Sequence, residues 1–204
     1  MKQRVFILGF VFIFILGIFL IAPTYISFRD KTELLRTINI SKIHNGDLIL
    51  RCGRSTESFA VYLTDSNAEF THIGIISLEN GTPYVIHAVP HHKKFIKKDK
   101  LTQFLSSENT SKFALYRSQF SKEVLYEVVK EAKRFYTNKY TFDNEYDLNT
   151  NSKLYCSELI LKAFRNNSIQ LSLKPKELDF LIGKYPIIFP SEFTKHPFKK
   201  VNIN

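Results

Sequence analysis

The chain of 204 residues carries 29 Lys and Arg against 19 Asp and Glu, a formal net charge of +10, and 44% of its residues are apolar. With seven Gly and seven Pro, that composition excludes a collagenous, low-complexity or disordered chain. Two Cys exclude a disulfide framework, no paired Cys/His cluster offers a structural zinc site, and the length fits one domain with an appendage.

The appendage comes first. Lys2 and Arg4 precede an unbroken apolar run from Val5 to Ala22, and Pro23 to Phe28 extend it. Eighteen apolar residues at helical rise reach nearly across a bilayer's hydrocarbon core. The exit Leu20-Ile21-Ala22-Pro23 is a poor cleavage site, so residues 1–28 read as an N-terminal transmembrane anchor, with a removed signal as the alternative. Positive charge on the short leading side places the remainder outside the cytoplasm, in the cell envelope or secreted. Residues 29–40 read as a tether and 41–204 as one globular domain. Without residues 1–28 the chain still carries +8, part of it in Lys93, Lys94, Lys97, Lys98 and Lys100. That cluster reads as a solvated rim, or as a patch attracted to anionic lipid or polymer. No nucleic-acid motif accompanies it.

Within the domain, Asp47 to Arg51 predicts a strand after the Asn45-Gly46 turn, and Ser55 to Leu63 a helix. Thr71 to Leu78 and Pro83 to Val89 predict two strands around Asn80-Gly81, the strongest hairpin signal in the chain. A short helix over Lys100 to Leu105 and a strand over Phe113 to Tyr116 follow. Ser121 can cap a helix whose Val124, Leu125, Val128, Val129, Ala132, Phe135 and Tyr136 keep helical spacing. A polar, aromatic loop from Asn138 to Lys153 leads into a second helix from Cys156 to Asn166. The tail from Leu171 to Asn204, with four prolines, is expected to wrap the surface. Helices and short strands mingle without a βαβ rhythm, which defines an α+β fold with a small antiparallel sheet packed on helices.

The hairpin carries the most informative deduction. A two-residue loop at Asn80-Gly81 makes paired residue numbers sum to 161, so Gly74 faces His87 and His72 faces Val89. His72 and His87 then share one face as diagonal neighbours, roughly 7–8 Å apart by backbone, and Gly74 leaves space beside His87. A one-residue bulge would instead put them on opposite faces. Cys156 is the third member, in Leu154-Tyr155-Cys156-Ser157-Glu158-Leu159, where a loop gives way to a helix. A thiol there feels the positive end of the helix dipole, which favours thiolate. An imidazole beside it and a second one orienting the first make the arrangement used for attack on acyl groups. Each element also has a plain structural reading, as a small core Cys or a satisfied strand His. Cys52 is assigned to packing, although a Cys52–Cys156 disulfide would remove the nucleophile. His91 and His92 read as a loop tip, with metal binding by His87, His91 and His92 as the alternative.

Four segments, in order, resemble the circularly permuted branch of the NlpC-like papain-fold cysteine hydrolases, the YiiX/YaeF-like group, and more distantly the lecithin retinol acyltransferase-like proteins. They are Asn45 to Leu50, Phe70 to Ile76, Tyr84 to Pro90 and Leu154 to Ile160. The order His before Cys marks the permuted form. The resemblance implies a permuted papain-like domain with Cys156 as nucleophile, His72 as base and His87 as the third group. It also suggests Tyr155 at the pocket, the Cys156 amide at an oxyanion hole, and Glu158 as helix cap or binder of a substrate amine. The YiiX-like group often has an acidic residue where His87 stands, whereas the acyltransferase-like relatives have His. The implied activity is hydrolysis of a peptide-like amide, cell-wall peptides foremost, with no metal or organic cofactor. The alternatives are a lipid acyl hydrolase or acyltransferase, and a catalytically silent binding module of the same fold.

Overall fold

The computed structural model describes residues 38–65, 68–90, 95–180 and 183–203. The apolar run of residues 5–22, most of the expected tether, and His91 and His92 lie outside them. Among the described residues no helix is long and apolar enough to cross a membrane.

Among the described residues, eight strands and four α-helices form the domain. The strands are β1 (Leu48–Gly53), β2 (His72–Glu79), β3 (Thr82–His87), β4 (Lys97–Lys100), β5 (Thr110–Ser118), β6 (Lys176–Phe180), β7 (Gly183–Ile187) and β8 (Phe198–Val201). The helices are α1 (Thr56–Thr64), the single-turn α2 (Leu101–Phe104), α3 (Lys122–Thr137) and α4 (Cys156–Arg165). Six strands make an antiparallel sheet in the order β4-β3-β2-β1-β5-β8, while β6 and β7 pair separately.

The hairpin register is the expected one. Ile75 pairs with Ile86 and Glu79 with Thr82, so the numbers sum to 161 and no bulge intervenes. Asn80 (φ 49°) and Gly81 (φ 78°) both take the positive φ that a primed two-residue turn requires. A Cβ at Gly74 would lie 2.4 Å from Val85 Cγ1 and 3.1 Å from His87 Cβ, so only glycine lets the two strands and the histidine close up there.

Helices α3 and α4 pack on one face of the sheet. Ser121 caps α3 by accepting from the Val124 amide, and Leu125, Val128, Val129, Ala132 and Phe135 are its buried stripe. Leu159, Ile160, Ala163 and Phe164 do the same for α4, against Ile73 and Ile75 of β2. The opposite face carries a smaller core of Ile49, Ile76, Val85, Leu101, Phe104 and Leu115. At the head of β1, buried Asp47 accepts from Arg117 Nε and Nη2, both at 2.8 Å, and from the His44 amide, fixing β1 against β5.

Two expectations are corrected. The tail does not simply wrap the surface: β8 completes the sheet edge beside β5, and Ile188, Phe189, Phe193 and Phe198 enter the main core. The lysine-rich stretch is not only a rim, because Lys97–Lys100 is the opposite edge strand, β4. Lysine on an edge strand blunts pairing with other chains, so a charged sequence and a strand are compatible there.

Candidate active site

His72 opens β2 and His87 closes β3, and the unbulged register turns both to the face of Gly74 and Phe104. His72 Nε2 lies 2.9 Å from His87 Nδ1, and His87 Nε2 lies 3.0 Å from Asp99 Oδ2 of β4. Both histidines are buried. Phe104 covers them, its ring centroid 5.7 Å from that of His72 and 4.9 Å from that of His87.

The chain of contacts fixes the tautomers. A carboxylate only accepts, so His87 Nε2 carries a proton and, in the neutral ring, His87 Nδ1 accepts. His72 must then donate from Nε2, which leaves its Nδ1 with a free lone pair. Burial, with Arg51 and Lys97 nearby, holds both rings below the usual histidine range, His72 well below it and His87 partly restored by Asp99. Both are neutral at physiological pH. Asp99 is held below its ordinary value, chiefly by its bond to His87.

Cys156 is the first residue of α4 and half-buried. Ile73 lies beyond the last β2–β3 pair, and its amide, with those of Ser157 and Cys156 at the helix start, favours negative charge on the sulfur. The Ser157 hydroxyl sits 3.9 Å from the sulfur. Despite these donors, burial dominates and pushes the Cys156 thiol above its ordinary value. The expected resting thiolate is therefore corrected: the helix terminus supplies donors, but desolvation outweighs them and the thiol stays protonated. Neither cysteine is in a disulfide, and Cys52 is buried in β1.

Tyr155 and Glu158 are committed elsewhere. The Tyr155 hydroxyl accepts from the Ile188 amide at 3.1 Å, and its ring packs 5.4 Å from Tyr146. Fully buried Glu158 accepts from the Tyr155 amide at 3.1 Å and pairs with Lys162 at 2.7 Å, so it caps α4. Burial pushes its carboxyl up to about 7. Neither side chain is open to a substrate.

Two residues of the site escape sequence reasoning. Asp99 is hidden in Lys97-Lys-Asp-Lys100, where the one signal is a lone acid in a basic run. Arg51, opposite His72 in the β1–β2 ladder, ends the apolar run of β1 with a charge. Its guanidinium carbon stacks 4.3 Å over the Phe104 ring, and Nη1 donates to the Phe104 carbonyl.

The domain combines a strand-borne histidine relay with a helix-start cysteine that follows it in the chain, the order of a permuted papain-like fold. The model of the permuted papain-like amidase enzymes, YaeF/YiiX, C92 family, matches residues 42–186, and the chain belongs to that family. It is 28% identical over 123 residues to the uncharacterized protein YiiX of Escherichia coli (strain K12); the match spans 59% of this chain and 57% of that relative. The crystal structure of metalloprotein yiiX from Escherichia coli O157:H7 shares the fold, with a TM-score of 0.66 and 20% identity over 79% of this chain and 97% of that one.

Proposed function

We propose that the domain is a cysteine amidase acting through an acyl-enzyme, with Cys156 as nucleophile and His72 Nδ1 as general base. The observation that carries this is the relay, which assigns the protons of His72 and His87 and leaves His72 Nδ1 as the one free ring nitrogen of the pair. His72 takes the thiol proton as Sγ attacks the amide carbonyl, so the thiolate exists only when it is used. The imidazolium is stabilised through His87 by Asp99, a role that His87 alone would perform less well. Collapse of the tetrahedral intermediate expels the amine, which leaves with the proton held on His72. Water, deprotonated by the same nitrogen, then hydrolyses the thioester to a carboxylic acid and the thiol. The amides at the start of α4 are suitable donors for the oxyanion.

The substrate class is a peptide-like amide, cell-wall peptides foremost, with the domain held outside the cytoplasm by residues 1–28. The charge bias around the apolar run supports that placement. The Escherichia coli relative is described as a metalloprotein. Among the residues described here, no three His, Cys, Asp or Glu side chains are grouped to hold an ion. The two histidines spend their facing nitrogens on each other, so no step is routed through a metal. His87 and the N-terminal membrane tether favour the lipid acyl reading, whereas Asp99 behind His87 restores the acidic end of a triad.

Mixing the full chain with 4-nitrophenyl acetate tests the mechanism. A burst of nitrophenolate with acetylated Cys156 is expected, slowed by about a hundredfold or more in His72→Ala. Acylation that ignores His72, or spares Cys156, would leave the silent binding module as the better reading.

A further inference from the structure

Both edges of the six-stranded sheet carry lysine: Lys97, Lys98 and Lys100 on β4, and Lys199 and Lys200 on β8. The β4 lysines are in part spent within the domain, since Lys98 pairs with Glu79 at 3.0 Å and lies over the Tyr84 ring. Lys199 and Lys200 are exposed, and among the described residues no ion pair takes either. Arg117, opposite Lys199 in the ladder, is answered by Asp47, and Glu192 by Lys195. Successive strand side chains alternate, so the two lysines flank the open edge on both sides.

The β8 edge is also where the described chain starts. The Asn39 amide donates to the Ile203 carbonyl, and Ile38, Phe113 and Val201 pack on the smaller core. Ile40, one residue further on, is 47% exposed. Blunting of an edge accounts for the lysines alone. A bare isoleucine beside them makes the apolar and cationic pairing of a bilayer interface. Residues 29–37 reach at most about 30 Å even fully extended, so this edge is the part of the domain kept nearest the end of the apolar run. The β4 edge lies five strand spacings, about 24 Å, beyond it. That is some three Debye lengths at physiological salt, where Debye screening is about 8 Å.

Resting on the reading of residues 1–28 as an anchor, we propose that the β8 edge, through Lys199, Lys200 and Ile40, is a contact surface for an anionic bilayer. The anchor supplies the binding, so two lysines suffice to set orientation. The relay of His72, His87 and Asp99 runs along β2, β3 and β4, away from that edge, so the catalytic half of the sheet is turned toward the aqueous layer. A peptide-like amide is met there, which deepens the amidase reading over the lipid acyl one.

The chain contains no tryptophan, so one placed in it reports on its own position. Full chains with Ile40→Trp or, separately, Lys100→Trp are reconstituted in vesicles of brominated phosphatidylcholine, alone or mixed with phosphatidylglycerol. The Ile40→Trp chain should lose emission in the anionic vesicles only, with recovery at high salt or when Lys199→Gln and Lys200→Gln are added. The Lys100→Trp chain should keep its emission. In the unaltered chain, acetylation of Lys199 and Lys200 relative to Lys100 should slow by about threefold from neutral to anionic vesicles, which reads the contact without any substitution. Equal quenching in neutral vesicles, quenching that survives the two lysine changes, equal quenching of Lys100→Trp, or unaltered acetylation overturns the proposal. So does the same slowing of acetylation by soluble poly-glutamate in detergent, which would assign the edge to polyanions in general. Flotation with neutral vesicles at high salt reads the anchor separately. A chain that floats without anionic quenching keeps the anchor and loses the contact surface, and one that does not float loses both.

Discussion

The two halves of the site are built on opposite principles. The histidine half is a line of side chains on three adjacent strands, β2, β3 and β4, each ring or carboxylate held by a partner at 2.9 or 3.0 Å. The thiol half is a single atom at the start of α4, surrounded by backbone amides and held protonated by burial. Specific bonds set orientation and tautomer in the first half, whereas desolvation sets the charge state in the second. Under the proposed mechanism, the difference teaches that the base is prepared in advance and the nucleophile is not. Activation is then a proton transfer during the reaction, not a standing ion pair.

Removing the middle of the relay breaks this contrast most severely. His87→Ala leaves His72 without an acceptor and Asp99 without a donor, and kcat for amide or ester probes should fall by about a hundredfold. A melt recorded alongside separates lost chemistry from lost fold. Asp99→Asn keeps the shape but loses the obligate acceptor, so the tautomers are no longer dictated; a fall of about tenfold in kcat with little change in KM is expected.

The pH profile sharpens the comparison further. With both rings held below the usual histidine range, kcat/KM should stay level through pH 6.5 and fall only on the more acid side. The same shift has a stability consequence of definite sign. The unfolded chain takes up protons near pH 6.5 while the folded one does not, so stability is full above that pH and is lost as pH falls below it. Chemical denaturation at a series of pH values reads this directly. Smallest in its effect on the thiol is Gly74→Ala, whose methyl would press on Val85 and His87. It should cost about 1–3 kcal/mol of stability and leave the alkylation rate of Cys156 at high pH unchanged.

What could be read from the sequence was local or periodic. The register that brings His72 to His87 follows from a two-residue loop at Asn80-Gly81, and the faces of α3 and α4 follow from apolar spacing. Arg51 and Asp99 gave no such signal, because their importance depends on strands that meet only through the sheet. The lysines of β4 mask any alternation, so a strand that supplies the acid of the relay looks like solvated surface. The tail hid its role in the same way: Phe189, Phe193 and Phe198 sit among prolines and lysines without a period, yet they enter the core. The effect of burial on Cys156 is hidden from the sequence for a different reason. The helix start is visible in the sequence, but the burial that outweighs it is contributed by residues far away along the chain.

The sheet edge formed by β8 bears on ancestry and chain order. The Asn39 amide donates to the Ile203 carbonyl at 2.8 Å, so the start and the finish of the described domain lie side by side. A short splice joining them, with new termini cut at the exposed tip near Asn151, would put the cysteine helix ahead of the histidine hairpin while leaving every pair of the six-stranded sheet in place. The arrangement of Cys156, His72, His87 and Asp99 is therefore indifferent to where the gene begins to read it. A rearrangement of that kind would change the chain order without disturbing the relay or the helix start.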